Sequence, residues 1–143
     1  MSKKIITSLL ILVGFVHLVN GQDLFPYRKD SLWGFCDSAL TIVIPTKFES
    51  ASIFSHCGIS TVKANEKYRF INKEGTFINQ SEYDRWSYFW LSRTYAWKEN
   101  KVGLIDSSGK TLVPFIYDDI RFTKGVVGFK KEGKWALFNY YSG

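Results

Sequence analysis

Lys101-Val102-Gly103-Leu104-Ile105-Asp106-Ser107-Ser108-Gly109-Lys110-Thr111-Leu112-Val113-Pro114 is the stretch that decides the fold of this 143-residue chain. Val102, Leu104 and Asp106 alternate with Gly103 and Ile105, the period-two pattern of a strand whose successive side chains point to opposite faces. Asp106-Ser107-Ser108-Gly109 follows. Asp and Ser favour a type I turn, and Gly109 accepts the left-handed conformation that closes a hairpin with a bulge. Lys110–Pro114 then reads as the returning strand.

Outward from this stretch, the pattern recurs. Trp33-Gly34-Phe35-Cys36-Asp37, Tyr68-Arg69-Phe70-Ile71-Asn72 and Trp135-Ala136-Leu137-Phe138-Asn139 echo Val102–Asp106, with starts 35, 34 and 33 residues apart. Self-similarity at such a period marks stacked supersecondary units, none able to bury its apolar face alone. Asn72-Lys73-Glu74-Gly75 repeats the turn after the motif. Asp37-Ser38-Ala39-Leu40 lacks the glycine, and a Leu with positive φ costs roughly 1 kcal/mol or more, so a different turn is expected there.

A second hairpin links each unit to the next. Glu132-Gly133 is a two-residue turn between Gly128–Lys131 and Lys134–Leu137. Lys98-Glu99-Asn100-Lys101, Ala64-Asn65-Glu66-Lys67 and Lys29-Asp30-Ser31-Leu32 occupy its place in earlier copies. Leu24–Arg28 is then a strand, and Pro26, with no amide to donate, puts it at an edge. The chain reads as three three-stranded meanders and a final hairpin. Few units favour an open solenoid-like array over a closed ring. The final hairpin leaves an edge near Trp135–Tyr141 for pairing with another chain.

The meanders are joined by Pro45–Ala51, Gln80–Trp86 and Pro114–Phe122. In each, an aromatic residue precedes an acid and an apolar residue follows three positions later, spacing that suits one turn of 3₁₀ or α-helix. Phe54, Phe89 and Phe122 come at nearly the same offset and read as core.

The combined pattern, Lys-Trp/Val-Gly-aliphatic-Ile-Asp-x-x-Gly-Lys-x-aliphatic-Pro-x-x-Tyr-Asp, resembles the WG repeat of bacterial proteins. Lys101–Phe122 carries it best; the second copy has Tyr68-Arg69 in place of Trp-Gly. The resemblance implies an exported all-β repeat protein that binds partners. It brings no catalytic residue with it.

Residues 1–21 have the layout of a cleaved signal peptide: Lys3 and Lys4, an apolar run from Ile5 to Val19, then Val19-Asn20-Gly21 before Gln22. About 15 apolar residues fall short of the ~20 that span a bilayer. Residues 22–143 form the repeat domain, exported to the periplasm or beyond, with no membrane span after cleavage. Without Lys3 and Lys4 the chain carries 17 Lys and Arg against 13 acids, a net of +4. That is too mild a field for a nucleic-acid binder.

Catalytic signals are sparse, and no enzyme, cofactor or metal is expected. His56 is the one histidine outside the leader. It adjoins Cys57, but neighbours on a strand face opposite ways and cannot readily pair. Asp37, Asn72, Asp106 and Asn139 recur with the turns, so turn capping explains them. Cys36 and Cys57 are either a disulfide made possible by export or two independent buried thiols.

The copies disagree at their surface. The column before the linking hairpin reads Arg28, Lys63, Trp97, Lys130, and the same unit adds Tyr88 and Trp90 beside Phe89. Tyr88, Trp90 and Trp97 are the candidate binding patch, unless they merely cover one another. Lys63, Lys67, Lys101, Lys130, Lys131 and Lys134 form a possible basic stripe, or a solvated edge that resists aggregation. The sequence thus points to a non-catalytic module for protein–protein interaction, with cell-envelope carbohydrate as the alternative ligand.

Overall fold

In the computed structural model, which describes residues 23–123 and 125–139, period-two alternation becomes strand in every copy. The first sheet is β1 (Phe25–Lys29), β2 (Leu32–Cys36) and β3 (Ile42–Phe48); the second is β4 (Ser50–Ala51), β5 (Ser60–Ala64) and β6 (Lys67–Ile71). The third holds β7 (Arg85–Trp86), β8 (Arg93–Lys98), β9 (Lys101–Asp106) and β10 (Thr111–Tyr117). The fourth holds β11 (Asp119–Thr123), β12 (Val126–Lys131) and β13 (Lys134–Asn139). All pairings are antiparallel between sequence neighbours, and β1, with Pro26, lies at an edge. The fold is all-β, with no helix among the described residues. Residues 1–21, expected from the sequence to be a signal peptide, and Tyr140 and Tyr141 of the final edge lie outside them.

The linking hairpins are two-residue turns. Lys29 pairs with Leu32, Ala64 with Lys67, Lys98 with Lys101 and Lys131 with Lys134. Both central residues have positive φ at Asn65-Glu66, Glu99-Asn100 and Glu132-Gly133, the geometry whose twist matches a β-hairpin.

The motif turns are held by their first residue. Asp37 Oδ1 accepts from the amides of Ala39 (2.9 Å) and Thr41 (2.8 Å); Asp106 Oδ1 accepts from those of Ser108 and Lys110; Asn72 Oδ1 accepts from that of Thr76. Contrary to the sequence expectation, Leu40 adopts the same left-handed conformation, φ +63°, as Gly75 and Gly109. The Asp37 carboxylate imposes the turn, and the Leu40 side chain has room, being 80% exposed. Gly75 and Gly109 do not: a Cβ there would meet Ile44 side-chain atoms at 3.2 Å and the Ile78 carbonyl oxygen at 2.7 Å, both on the preceding unit.

The glycine of the motif answers a different constraint. Trp33 pairs with Phe48 and Phe35 with Ile44, so three residues of β3 bulge opposite Gly34. Val102 and Leu104 pair with Tyr117 and Val113, bulging β10 over Gly103. A Cβ would lie 2.7 Å from the Pro45 carbonyl carbon at Gly34 and 2.7 Å from the Val113 carbonyl oxygen at Gly103. In the second copy the returning segment makes only isolated bridges, Ile71 with Phe77 and Tyr68 with Tyr83. Arg69 takes the glycine's place there and stacks 3.5 Å above the Phe77 ring.

The connections are not helical turns. Pro45–Ala51 and Pro114–Phe122 are strand on both sides of a one-residue corner, and 80–86 runs extended into β7. The aromatic and the later apolar residue lie on successive strands, and their spacing of three comes from the corner between them. The corner acids bind the following sheet: the amides of Glu49, Asp84 and Asp118 donate to the carbonyls of Lys63 (2.8 Å), Trp97 (2.8 Å) and Lys130 (2.7 Å). Units therefore exchange strands at the corners, and each later sheet begins with a strand, β4, β7 or β11, where the sequence reading expected a helical turn.

Three cores lie between consecutive sheets. Trp33 and Phe35 face Val62 and Ile71; Tyr68 and Phe70 face Ala96 and Ile105; Val102 and Leu104 face Val127, Phe129 and Phe138. The first and third motif residues thus point forward, and the second and fourth backward. Each inner sheet is covered on both sides, and each fully buried aliphatic or aromatic side chain contributes roughly 1.5–3 kcal/mol.

Leu40→Gly is expected to stabilise the chain by up to about 1 kcal/mol by relieving the positive φ, whereas Gly109→Ala and Gly34→Ala should each cost roughly 1–3 kcal/mol by forcing backbone apart. Urea unfolding midpoints at dilute protein concentration distinguish the two directions.

Candidate functional site

Between β7 and β8 the chain rises in an extra small hairpin. The Trp90 amide donates to the Arg93 carbonyl (2.8 Å) and the Arg93 amide to that of Trp90 (3.0 Å), with Leu91 and Ser92 at φ +46° and +58°. Phe89 turns inward and is buried, its ring edge-on to Phe70 at 5.2 Å. Tyr88 and Trp90, on either side, turn out and are 78% and 61% exposed. Tyr88 stands edge-on to Trp86 at 5.2 Å, so one side of the ring is propped and the other is open.

These two residues line a cleft of about 200 Å³ together with Ser87, Tyr95 and Phe122. The sequence missed Tyr95 and Phe122 as cleft residues. Phe122 was read as core, but it is 48% exposed. Phe54 and Phe89 sit in longer loops that fold back onto a core, whereas β11 continues through Phe122, which pairs with Val127 and ends at the sheet's margin. Trp97 does not line this cleft. It packs against the core between the third and fourth sheets, with the Arg85 guanidinium 4.6 Å from its ring centre and Tyr95 edge-on at 5.8 Å. The three-residue patch read from the sequence therefore divides: Tyr88 and Trp90 meet at the surface, and Trp97 is a packing residue. Its place at an outward-looking column misled, because that column faces the next sheet.

The lysine columns are largely answered by the corner acids. Lys67 pairs with Asp84, Lys101 with Asp118, and Lys63 with Glu49 at 3.8 Å. Each acid also reaches the next linking turn. Asp84 accepts from the Glu99 amide (2.8 Å), Asp118 from that of Glu132 (3.3 Å), and Glu49 from that of Glu66 (3.2 Å). The Lys67 ammonium and then the Glu99 amide hold the Asp84 carboxyl below its usual value. Lys101 and the Glu132 amide do the same for Asp118, and Asp84 in turn raises Lys67. At Asp106 burial pushes the carboxyl up, but the Ser108 hydroxyl with the Lys110 and Ser108 amides outweighs it and the net shift is downward.

Cys36 and Cys57 are free thiols in different surroundings, so the bridge considered from the sequence is not formed. Cys36 is buried in the first sheet with Sγ 3.9 Å from the Phe25 carbonyl; Cys57 lies beside the second core, 3.0 Å from Ser55 Oγ. His56 is exposed. Among the described residues no group of three or more His, Cys, Asp or Glu is placed to hold a metal ion.

The family model for the WG containing repeat matches residues 33–68 and 103–135. The chain belongs to the WG repeat family. Each match runs from the motif strand of one sheet to that of the next, so the WG unit includes the corner and the linking turn it caps. No curated protein and no solved structure was found to match the chain.

The depressed Asp84 and Asp118 carboxyls fix the sign of a pH effect: their stabilisation is present above the ordinary carboxyl value of 3.8 and is lost as pH falls through the lower folded value. Asp118→Asn should therefore lower the melting temperature at pH 7, and the difference from the parent should shrink as pH falls below 3.8. Melts across that range check it.

Proposed function

We propose that this WG repeat chain is a non-catalytic binding module that takes an apolar side chain of a protein partner into the Tyr88–Trp90 cleft. The observation that carries the reading is the pair of rings displayed by a turn with two residues in the left-handed region. The linking hairpins turn in the same way, so the two exposed rings and not the turn set this hairpin apart. Neither ring is needed to fill the core that Phe89 already occupies. Amphipathic aromatics beside a small apolar hollow are the usual anchors of a protein interface.

Cell-envelope carbohydrate is the alternative, because the same open ring faces suit stacking on a sugar. Against it, the described lining offers Ser and Tyr hydroxyls but no carboxylate, carboxamide or guanidinium to order sugar hydroxyls. Action outside the cytoplasm belongs to the same proposal. Its support is the basic start and apolar run of residues 3–19, and amino-terminal sequencing of protein recovered outside the cell should begin at Gln22.

Trp90→Ala should cost the partner about 2 kcal/mol, roughly thirtyfold in Kd, without moving the unfolding midpoint, since the side chain is exposed. Affinity capture from the cell envelope with parent and variant protein, followed by titration of the captured partner, checks it. Capture of glycan instead, lost on the same substitution, would favour the alternative. Equal capture by parent and variant would remove the cleft from the account.

A further inference from the structure

The three internal interfaces share one polarity: the forward face of a sheet, carrying the first and third motif residues, meets the backward face of the next. Two faces of the described residues are left over, and they are one of each kind. On the fourth sheet, Trp135 and Leu137 lie opposite Lys130 and Gly128, and Arg121 also lies opposite Gly128, so these share the forward face with Val126. Leu137 is 77% exposed, and Arg121, Val126, Gly128, Trp135 and Leu137 line a hollow of about 260 Å³. On the first sheet, Phe25 and Ile42 lie opposite Cys36 on the backward face, and both are exposed. Leu40 stands at the turn position where Gly75 and Gly109 touch the preceding unit.

The forward face also carries a recurring marker. Arg28 stacks over Trp33 at 5.8 Å and Arg85 over Trp97 at 4.6 Å, and each tryptophan is packed against the following sheet. Arg121 stacks over Trp135 at 5.0 Å in the same way, with no following sheet among the described residues.

We infer that the forward face of the fourth sheet receives the backward face of the first sheet of a second copy of this chain. The contact continues the interface already repeated three times within one molecule. It joins two different surfaces, so it is heterologous and propagates head to tail into open chains or a closing ring. Apolar faces at both ends of a stacked array are what a capping repeat would otherwise have to remove.

The test uses the chain as isolated from cells that express it. Sedimentation velocity over a concentration series should show mass rising in steps of one chain. Leu137→Glu blocks the forward face and Leu40→Asp the backward face. Both positions are highly exposed, and Asp tolerates the positive φ, so far-UV circular dichroism should be unchanged. Each variant alone should be monomeric, and an equal mixture should form a one-to-one dimer and nothing larger, because each supplies the face the other lacks. A parent chain that stays monomeric, or a mixture that stays monomeric while the parent associates, overturns the inference.

Discussion

No sheet of this protein can bury both its faces with its own residues, and that constraint organises the rest. Three or four short strands and tight turns produce a layer with an apolar side chain on each face. Water is excluded only where the next layer lies against it. Phe35 has no interior until Val62 and Ile71 arrive, and Val102 has none until Phe129 does. Isolated small sheets are marginal in water, and stability here resides in the junctions between layers.

The corners make those junctions specific. A purely apolar stack could slide or rotate, since the hydrophobic effect has no direction. Asp84 ties Lys67 of one hairpin to the Glu99 amide of the next, and Asp118 ties Lys101 to the Glu132 amide. These exposed ion pairs contribute little energy each, but their geometry is satisfied at one register only. Glu49 shows the rule by its exception: Leu32 stands where Lys67 and Lys101 stand, so Glu49 turns to Lys63 instead. The same polarity that orders the layers within one molecule leaves a forward face and a backward face at the two ends, and the cleft at Tyr88 and Trp90 opens at the margin of the last junction.

Much of this was legible in the residues. The 34-residue rhythm, the alternation within Val102–Asp106, the Asp-led turns and the two-residue linking turns all depend on local chemistry, and all appear in place. Four readings failed for tertiary reasons. The corners looked helical because an aromatic and an apolar residue three apart fit one helical turn as well as two strands meeting at an angle. Leu40 looked incompatible with a left-handed turn because the strain was visible and the two Asp37 hydrogen bonds that outweigh it were not. Trp97 looked exposed because the column it occupies is otherwise basic. Lysine stems and an arginine-covered indole can line the same junction, and only the neighbouring sheet distinguishes a packed ring from a displayed one. Phe122 looked buried because it shares the spacing of Phe54 and Phe89, but it ends on an edge strand where they fold back onto a core; Tyr95 carried no local signal as a cleft residue, being ordinary for a strand.

The shared junction is tested most directly by a double-mutant cycle across it. Tyr117 on the third sheet and Phe129 on the fourth have ring centres 5.2 Å apart at their common core. Unfolding free energies of Tyr117→Ala, Phe129→Ala and the double variant should reveal a coupling of roughly 0.5–3 kcal/mol, as for residues in contact. Additivity within about 0.3–0.5 kcal/mol, the behaviour of independent sites, would mean that the layers do not hold one another, and would contradict the account.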